Sequence, residues 1–532
     1  MLVLFFKQVR ILKMISKKAI LFFLLLLSCT VQAQLKDSLL VNQNSFYNDI
    51  GVQLFETPLF FTSHNLSDFT QTQIDFEQKL MPFKRVQTAE KATKYSFSTH
   101  GIFNIKPRLR LFGNFIYNQI REDGLGYNLT TERTENQNVL SPNYFFAPKK
   151  GNWEIQNYNL NGGVSYQLEN NILLGATVFY INSKNYRKID PRPQVALSKY
   201  GGELHGGYVY KDHRVFGSVG MSKKTETGDI DYVDDTQNAP AYPETFTTFS
   251  SGYGRVVFNS SYNKYIYNTI DKNFGLGYQF QNDRNSLGVT YKFNKSMEDL
   301  YRKDANGNVY IQKDLKQYRY RFYSNTAKLN YYHDGASKDY KLQLEYSAGQ
   351  GDNFSVAENG QNYRMNLDRL QLSSGIIKKE NDRVIYNFEL IGAYAKHKYI
   401  DLLGNTNKKL NTLEIQAVFN KDLFVNEKNK LNLEFGVNYY VALNEDLVYV
   451  PTSSNTSFAD NVIIPDHAYD STSKLQSNIV ANYYIKLPKK KTLQLFINYK
   501  TLTALDNKHL EYYANLNTKA STYFNGGISI NY

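Results

Sequence analysis

The chain has 532 residues, of which 42% are hydrophobic and 21% charged, with 44 Tyr, 34 Phe, 12 Pro and one Cys. The single cysteine excludes an intramolecular disulfide and a multi-cysteine metal site. The formal charge of +13 does not predict nucleic-acid binding, because the basic residues are scattered rather than clustered on one helix or stripe.

The N-terminal 33 residues have the pattern of a secretory signal peptide. They contain five basic residues and no acid, followed by the apolar run from Ala19 to Leu27, with Val31 and Ala33 at the cleavage positions. The run is too short for a permanent membrane helix. We predict a signal peptide over 1–33, with translation starting at Met1 or Met14, and its removal lowers the net charge to about +8.

Cys29 has two interpretations. Leu26 to Cys29 is similar to a lipobox, and lipidation there would leave a tethered lipoprotein. A cut after Ala33 discards the cysteine, and then no thiolate ligand or cysteine nucleophile remains. Val-Gln-Ala-Gln is the better cleavage site, so the sequence favours the second interpretation.

After residue 33, apolar and polar residues alternate in many short segments. The clearest copy is LNLEFGVNYYV, from Leu431 to Val441, in which Leu, Phe, Val and Tyr alternate with Asn, Glu and Gly. Successive side chains of a strand point to opposite faces, so one face of such a strand is apolar and the other polar. No later apolar run approaches the length of a membrane helix, and abundant Tyr and Phe suit a membrane interface. The pattern therefore predicts transmembrane strands rather than transmembrane helices.

In chain order, we predict a periplasmic or luminal segment over 34–67 and a barrel over 68–532, with the first strand from Asp68 to Leu80. Eight short polar turns then join sixteen strands. These turns are centred on Lys106-Pro107, Glu169–Asn171, Lys211–Arg214, Asn282–Asn285, His333–Asp339, Lys378–Arg383, Asp422–Lys430 and Pro488–Lys491. A last strand, from about Leu510 to Tyr532, brings the total to eighteen, with a range of about sixteen to twenty.

Long connections alternate with these short turns. They are predicted over Arg121–Asn152, Thr225–Thr247, Asp299–Lys316 and Asn444–Thr472, and Arg255–Gln281 is long enough to contain an extra hairpin. Short turns at one end and long loops at the other are typical of outer-membrane barrels, with the short end in the periplasm. We therefore predict an all-β fold, a transmembrane up-and-down antiparallel β-barrel, in the outer membrane.

The C-terminal segment resembles the signal that barrel-assembly machinery recognises. Phe524, Ile528, Ile530 and Tyr532 share one face of the last predicted strand. This strand would close against the first and remove both free sheet edges. The predicted partners are therefore outer-membrane lipid and the assembly machinery, with an envelope lipoprotein or another barrel as a further candidate and no nucleic acid.

The signal ending in Ala-Gln, the Tyr- and Asn-rich strands and the chain length resemble uncharacterised single-barrel families of Bacteroidetes outer-membrane proteins. This resemblance implies a location rather than an activity. The chain does not fit TonB-dependent receptors, which have a separate plug domain and about 22 strands. Fatty-acid-transporter-like barrels carry a short luminal N-terminal segment, and Thr57-Pro58-Leu59 is the nearest counterpart of their Asn-Pro-Ala element.

The polar faces carry ionisable residues of both signs. The predicted inward-facing set is Arg108, Arg110, Glu203, His205, Lys292, Lys341, Glu345, Glu389, Glu434 and Lys500. A barrel of about eighteen strands leaves an aqueous lumen unless loops or a plug fill it. The leading hypothesis is a channel or substrate-selective porin for small polar or amphipathic solutes, narrowed by the long loops. The alternative is a filled interior in which these residues hydrogen-bond across the lumen.

Two other classes of function remain open. An accessory barrel in an envelope complex has no sequence signature. An outer-membrane hydrolase is less favoured: Asp229 and Asp231 in the loop GDIDYVDD could bind a cation or activate water, but their spacing matches no calcium loop. The eight histidines (64, 100, 205, 213, 333, 397, 467 and 509) show no ligand spacing, and no nucleophile elbow or phosphate loop occurs. We expect no enzyme activity, no catalytic or metal-binding residues and no cofactor.

Overall fold

The computed structural model describes residues 57–59, 68–131, 141–169, 171–258, 263–304, 306–380, 383–426, 428–452, 456–488, 491–506 and 520–532. The predicted signal peptide with Cys29, most of the predicted segment 34–67, and both His64 and His509 lie outside these residues.

Within the described ranges, eighteen strands form one closed antiparallel sheet. They are β1 (Phe69–Leu80), β2 (Lys91–Lys106), β3 (Leu109–Leu125), β5 (Gly151–Gln167), β6 (Ile172–Arg187), β7 (Arg192–Tyr210), β8 (His213–Asp231), β11 (Lys264–Gln281), β12 (Asn285–Arg302), β13 (Lys316–His333), β14 (Lys338–Ser355), β15 (Tyr363–Glu380), β16 (Arg383–Asp401), β17 (Thr406–Val425), β18 (Asn429–Tyr449), β19 (Lys474–Leu487), β20 (Lys491–Ala504) and β21 (Ala520–Asn531). Each barrel strand pairs with the next one along the chain, and β21 pairs with β1 through Ile528 opposite Ile74. This pairing confirms the predicted eighteen-stranded up-and-down barrel.

The alternation along each strand separates a lipid-facing surface from the barrel interior. Ile74, Val178 and Leu204 point outward and are 63%, 64% and 65% exposed, although all three are strongly apolar. Their sequence neighbours point inward, as the buried Asp75 and His205 illustrate. An apolar outer band on a closed barrel is the surface that a bilayer covers, so the chain is a transmembrane β-barrel of the outer membrane.

The two ends of the barrel differ as predicted. Short turns connect β2 to β3, β5 to β6, β7 to β8 and each later pair of this kind, whereas the connections at the other end include 126–150, 232–263 and 450–473. We refer to them as the short-turn end and the long-loop end. Because outer-membrane barrels have short periplasmic turns, the short-turn end is the periplasmic one.

Several strands run further than the sequence pattern predicted. β3 continues to Leu125, β8 to Asp231, β12 to Arg302 and β18 to Tyr449, so each predicted long loop begins too early. The alternation of apolar residues ends where a strand leaves the bilayer, but the backbone pairing between strands continues beyond that point toward the long loops. In its described residues, the long region from Arg255 to Gln281 contains β11 and a short strand, β10 (Val256–Phe258), rather than a second barrel hairpin.

Aromatic residues mark the boundary of the apolar band toward the long-loop end. Tyr117 on β3 lies opposite Tyr158 on β5, with ring centroids 5.0 Å apart, and Tyr180 on β6 lies opposite Tyr200 on β7. Tyrosine and tryptophan concentrate at membrane interfaces because the ring and the polar group prefer different surroundings. We call this set the outer aromatic row; it gives the approximate depth of the headgroups.

Regular structure also occurs outside the barrel wall. β4 (Asn143–Phe146), β9 (Thr248–Ser251) and β10 form a three-stranded antiparallel sheet, and the connection between β18 and β19 contains a π-helical turn (Ala459–Ile463) and helix α1 (Ile464–Ser471). In the described ranges, no helix has both the length and the apolar composition needed to cross a membrane.

Candidate functional site: a polar lumen closed by folded loops

The inner wall of the barrel carries hydrogen-bonded amides. Asn432 on β18 donates to Asn420 Oδ1 on β17 at 2.6 Å and accepts from Asn482 Nδ2 on β19 at 3.4 Å. Gln494 on β20 extends this row by donating to Asn482 Oδ1 at 3.0 Å. The amides of this row therefore bond between neighbouring strands, rather than across the lumen.

Many charged residues of the wall form ion pairs, some between neighbouring strands and some across one or two intervening strands. The distances between charged atoms are 2.9 Å for Lys199 and Asp271, 3.3 Å for Lys224 and Glu298, 3.2 Å for Lys430 and Asp422, 3.5 Å for Lys328 and Glu345, and 3.8 Å for Lys292 and Glu203. The Lys292 side chain is 47% exposed although it points inward, so water reaches this part of the lumen. Each of these pairs joins one positive and one negative side chain on the inner wall.

The remaining residues of the predicted inward-facing set differ in their surroundings. Arg110 and His205 are buried against the wall, and Glu389 and Glu434 accept hydrogen bonds from Ser373 and from Asn478. The alternation also places Lys341 and Lys500 on the inner face. Arg108 does not line the wall: it lies in the short turn after β2 and pairs with Glu169 of the adjacent turn at 3.5 Å.

Loops at the long-loop end fold inward and pack against the inner wall. We call the plug the described parts of 81–90, 126–150, 232–258 and 456–473. Phe145 of the plug stacks on Tyr265 of the wall with ring centroids 4.5 Å apart, and Phe249 lies 4.9 Å from Phe145. Phe145, Phe249 and the wall residue Trp153 are fully buried. The plug therefore has its own aromatic core, and this core is continuous with the inner wall.

A second apolar cluster joins the helical part of the plug to its small sheet. Phe458 packs on Phe146 of β4 with ring centroids 4.8 Å apart, and Val462 and Ile463 of the π-helical turn are buried beside them. Because Phe146 and Phe458 come from connections far apart in sequence, the two loops form one body.

Buried charges attach this body to the wall. Asp470 of α1 accepts from Arg85 Nε at 2.7 Å and lies 2.6 Å from Lys408 Nζ of β17, and both Lys408 and Asp470 side chains are almost fully buried. Lys474 at the start of β19 lies over the rings of Tyr440 and Tyr469, at 4.1 and 4.2 Å from their centroids. We call Arg85, Lys408, Asp466, Asp470 and Lys474 the plug ion cluster.

The two carboxylates of α1 are in opposite electrostatic states. Burial favours the neutral form of Asp470, but Arg85 and Lys408 outweigh it and hold its pKa well below the usual range. Burial raises the pKa of Asp466 to about 6, against the opposing charge of Arg85 and with repulsion from Asp470. Asp466 also accepts from the backbone N–H of Val86 at 2.7 Å. The cluster thus contains one firmly ionised carboxylate and one that is easily protonated.

A separate set of hydrogen bonds holds the tip of the 232–258 region. Asp401, at the end of β16, accepts from the backbone N–H of Arg255 at 3.0 Å and from Asn362 Nδ2 at 2.8 Å. Asn353 and Asn362 both donate to the carbonyl oxygen of Ser251, at 2.7 and 2.9 Å. These contacts fix the small sheet to β14, β15 and β16, on a sector of the wall different from the one that binds α1.

A cavity of about 460 Å³ lies where the plug meets the wall of β1, β19, β20 and β21. Its wall side includes Glu77, Lys79 and Lys500, and its plug side includes Phe83, Arg85 and Tyr469. The plug therefore does not fill this sector of the mouth.

Residues 57–59 also lie inside the barrel. Leu59 is buried, and a Cβ built on Gly175 of β6 or Gly207 of β7 would be 3.0 or 3.1 Å from its methyl groups. Glycine at these two positions leaves room for the segment against the wall near the short-turn end. Thr57-Pro58-Leu59 is thus luminal in this structure.

The residues considered for catalysis do not come together. Asp229 lies 3.1 Å from Lys264 Nζ, and Asp231 is in register with Arg192, so each acid faces a basic residue at the rim. The six described histidines lie on β2, β7, β8, β13, β16 and α1. In the described ranges, no group of three or more His, Cys, Asp or Glu residues is placed to hold a metal ion.

The plug ion cluster was not identified from the sequence. Arg85 and Asp470 are 385 positions apart, and no local pattern relates them. One signal was available: the predicted loops contain apolar pairs such as Phe145-Phe146 and Ile463-Ile464, which exposed loops rarely need.

Comparisons with solved structures return other outer-membrane barrels, all at very low identity. The ferric preacinetobactin receptor BauA from Acinetobacter baumannii matches with a TM-score of 0.40 and 8% identity, over 88% of this chain and 80% of that chain. The ferric-catecholate import receptor Fiu from E. coli K12 has a TM-score of 0.39 and 8% identity, over 88% and 82%. The Pseudomonas putida toluene transporter TodX matches with a TM-score of 0.30 and 9% identity, over 90% of this chain and 93% of that chain. No curated protein matches.

These likenesses assign no role to any residue, and the fold assignment depends on the closed strand order of this chain itself. The resemblance to Bacteroidetes barrels stays a prediction. The sequence matches the profile of a family of unknown function, DUF6850, over residues 58–532, which is nearly all of the barrel and the luminal segment. The chain therefore belongs to the DUF6850 family.

Proposed function

We propose that this protein is an outer-membrane channel for small polar or amphipathic solutes, and that the plug is its gate. The main support for the proposal is the way in which the plug is attached to the wall. A polar, hydrated lumen continues up to the plug, and buried ion pairs and side-chain hydrogen bonds attach the plug to the wall.

Buried ion pairs favour this interpretation over a permanently filled interior. Removing two charges from water costs much of the free energy that their mutual attraction gains. Apolar residues of similar volume therefore often stabilise a core more. The ion pairs that dock α1 on the wall, beside the apolar core of the plug, are therefore contacts that a change in charge or a bound ligand can offset. The cavity beside β1, β19, β20 and β21 means that a small displacement widens an existing gap.

Liposome swelling tests the proposal directly. The purified barrel is reconstituted into liposomes, and uptake of sugars and amino acids of increasing size is measured for the wild type and for Asp470→Ala. We expect slow uptake by the wild type and at least tenfold faster uptake by the variant, with an upper size limit. A variant whose plug has been released and that still admits no solute would contradict a channel and favour the scaffold alternative.

A hydrolase remains a weaker proposal. Asp229→Asn/Asp231→Asn is the matching variant, and a loss of any hydrolytic activity would support it. The pairing of Asp229 with Lys264 supports a structural role for this acid instead.

A further inference from the structure

Three lysines form a continuous row on the outer surface of the barrel. Lys223 on β8, Lys272 on β11 and Lys295 on β12 all occupy outward-facing positions, as the exposed Met221, Phe274 and Tyr291 on the same faces indicate. The strands are neighbours in the sheet: Lys272 lies directly opposite Lys295, and Lys223 lies opposite Ile270, two residues from Lys272. The three cations are therefore adjacent.

This row lies at the depth of the lipid headgroups. Lys223 is in register with Tyr200 of the outer aromatic row, and Lys295 lies over the ring of Tyr323 at 5.4 Å. The next outward position on β11 toward the short-turn end is Phe274, where the apolar band begins. Since the row belongs to the long-loop half of the barrel, it faces the outer leaflet.

Protein carboxylates do not balance the charge. Among the described residues, none of the three lysines has a carboxylate within 4.0 Å. The nearest outward-facing acids on β8 and β12 are Asp229 and Asp299, further toward the rim, and they pair with Lys264 at 3.1 Å and Arg319 at 2.7 Å. Like charges directly opposite each other in a sheet are destabilising, so Lys272 and Lys295 together favour a bound anion.

We propose that Lys223, Lys272 and Lys295 bind the phosphate of a lipid headgroup in the outer leaflet. Three ammonium groups at one depth, above an apolar strip and beside the Tyr200 and Tyr323 rings, match a molecule with a phosphate and acyl chains. A free phosphate would use the lysines but gain nothing from the apolar strip below them. The site is independent of the proposed channel activity, because it lies on the opposite side of the wall.

Lipid titration followed by native mass spectrometry tests the site, with diphosphoryl lipid A as the probe. The variant is Lys223→Gln/Lys272→Gln/Lys295→Gln. The matched control is Lys91→Gln/Lys184→Gln/Lys396→Gln, which removes three outward-facing lysines from strands that are not neighbours, β2, β6 and β16. Heat-dependent mobility on gels and circular dichroism verify that both variants form the barrel.

Each lysine near an anionic membrane surface contributes roughly fivefold in affinity, so the variant should bind lipid A on the order of a hundredfold more weakly. The control should bind within about threefold of the wild type. Equal losses in both triple variants would contradict the site, since general charge would explain them. Displacement of the lipid by inorganic phosphate at millimolar concentration would contradict a lipid as the occupant.

Discussion

The barrel wall and the plug are stabilised by different kinds of contact. In the wall, each strand pairs with its sequence neighbour along most of its length, and inner-face amides such as Asn432 and Asn420 bond between adjacent strands. In the plug, Arg85 meets Asp470 and Phe146 meets Phe458 across hundreds of residues. The wall repeats the same kind of contact between strands that are neighbours in sequence, whereas the plug is held together by contacts between segments that are far apart in sequence.

This difference implies that the two regions lose structure separately. Removing one contact from the wall leaves many equivalent contacts beside it. Removing one from the plug ion cluster leaves a buried charge without its partner at the contact between α1 and β17. Substitutions in the plug should therefore increase its opening while the barrel stays closed.

The largest effect is expected for Asp470→Ala. It leaves the buried Lys408 and the partly buried Arg85 without their carboxylate, which costs about 3–5 kcal/mol. Amide hydrogen exchange should show α1 losing protection by this amount, while β17 and β18 keep theirs. Asp446→Ala is the control, since Asp446 pairs with Lys409 at 3.5 Å with both side chains about half exposed, and it should cost less than about 1 kcal/mol.

Phe145→Ala should have the next largest effect. Truncating this fully buried ring removes its packing on Tyr265 and Phe249 and leaves a cavity in the plug, which costs about 3–4 kcal/mol. Hydrogen exchange at β4 and β9 is the measurement. Tyr242→Ala, at an exposed position of the same connection as β9, is the control and should change protection little. Faster exchange throughout the barrel would show that plug and wall unfold together.

Opening of the plug should also depend on pH. The pKa of Asp466 is about 6 in the docked plug, above its ordinary value, so docking favours the protonated form. This stabilisation is complete below about pH 4 and is lost as the pH rises through about 6. We expect the free energy of plug opening, from hydrogen exchange, to be about 2–3 kcal/mol larger at low pH than at pH 7.5.

Asp466→Asn keeps the acceptor for the Val86 N–H and removes the titration. It should therefore make opening of the plug nearly independent of pH between about 4 and 6, below the range in which Lys474, whose pKa burial lowers to about 7, loses its proton. Opening that becomes easier at low pH in the wild type would contradict the assigned environment of Asp466.

The smallest effect is expected in the wall. Asn432→Ala removes hydrogen bonds to Asn420 and Asp422, at 2.6 and 2.9 Å, and should lower the free energy of barrel unfolding by about 1 kcal/mol. Asn438 lies on the same face of β18, and its Oδ1 atom has no hydrogen-bond partner among the described residues, so Asn438→Ala should cost less. Urea unfolding in detergent micelles gives both values, and hydrogen exchange of the plug should not change.

The difference between local contacts in the wall and distant contacts in the plug explains which features could be predicted from the sequence. Alternation such as Leu431 to Val441 and the eight short turns were sufficient for the strand number, the order and the two ends of the barrel, because these features are local. Strand ends were less accurate, since β3 and β8 continue beyond the apolar band. The plug could not be derived, because the contacts of Arg85 and Phe146 depend on how long loops fold back into the lumen.

Planar-bilayer conductance of the wild type, Asp470→Ala and Asp446→Ala is the most direct test that the plug closes a channel. We predict that the wild type is closed or opens rarely and that the Asp446→Ala control behaves in the same way. Asp470→Ala should show sustained openings. A wild type that conducts as well as Asp470→Ala, or a variant with a released plug and no conductance, would contradict it.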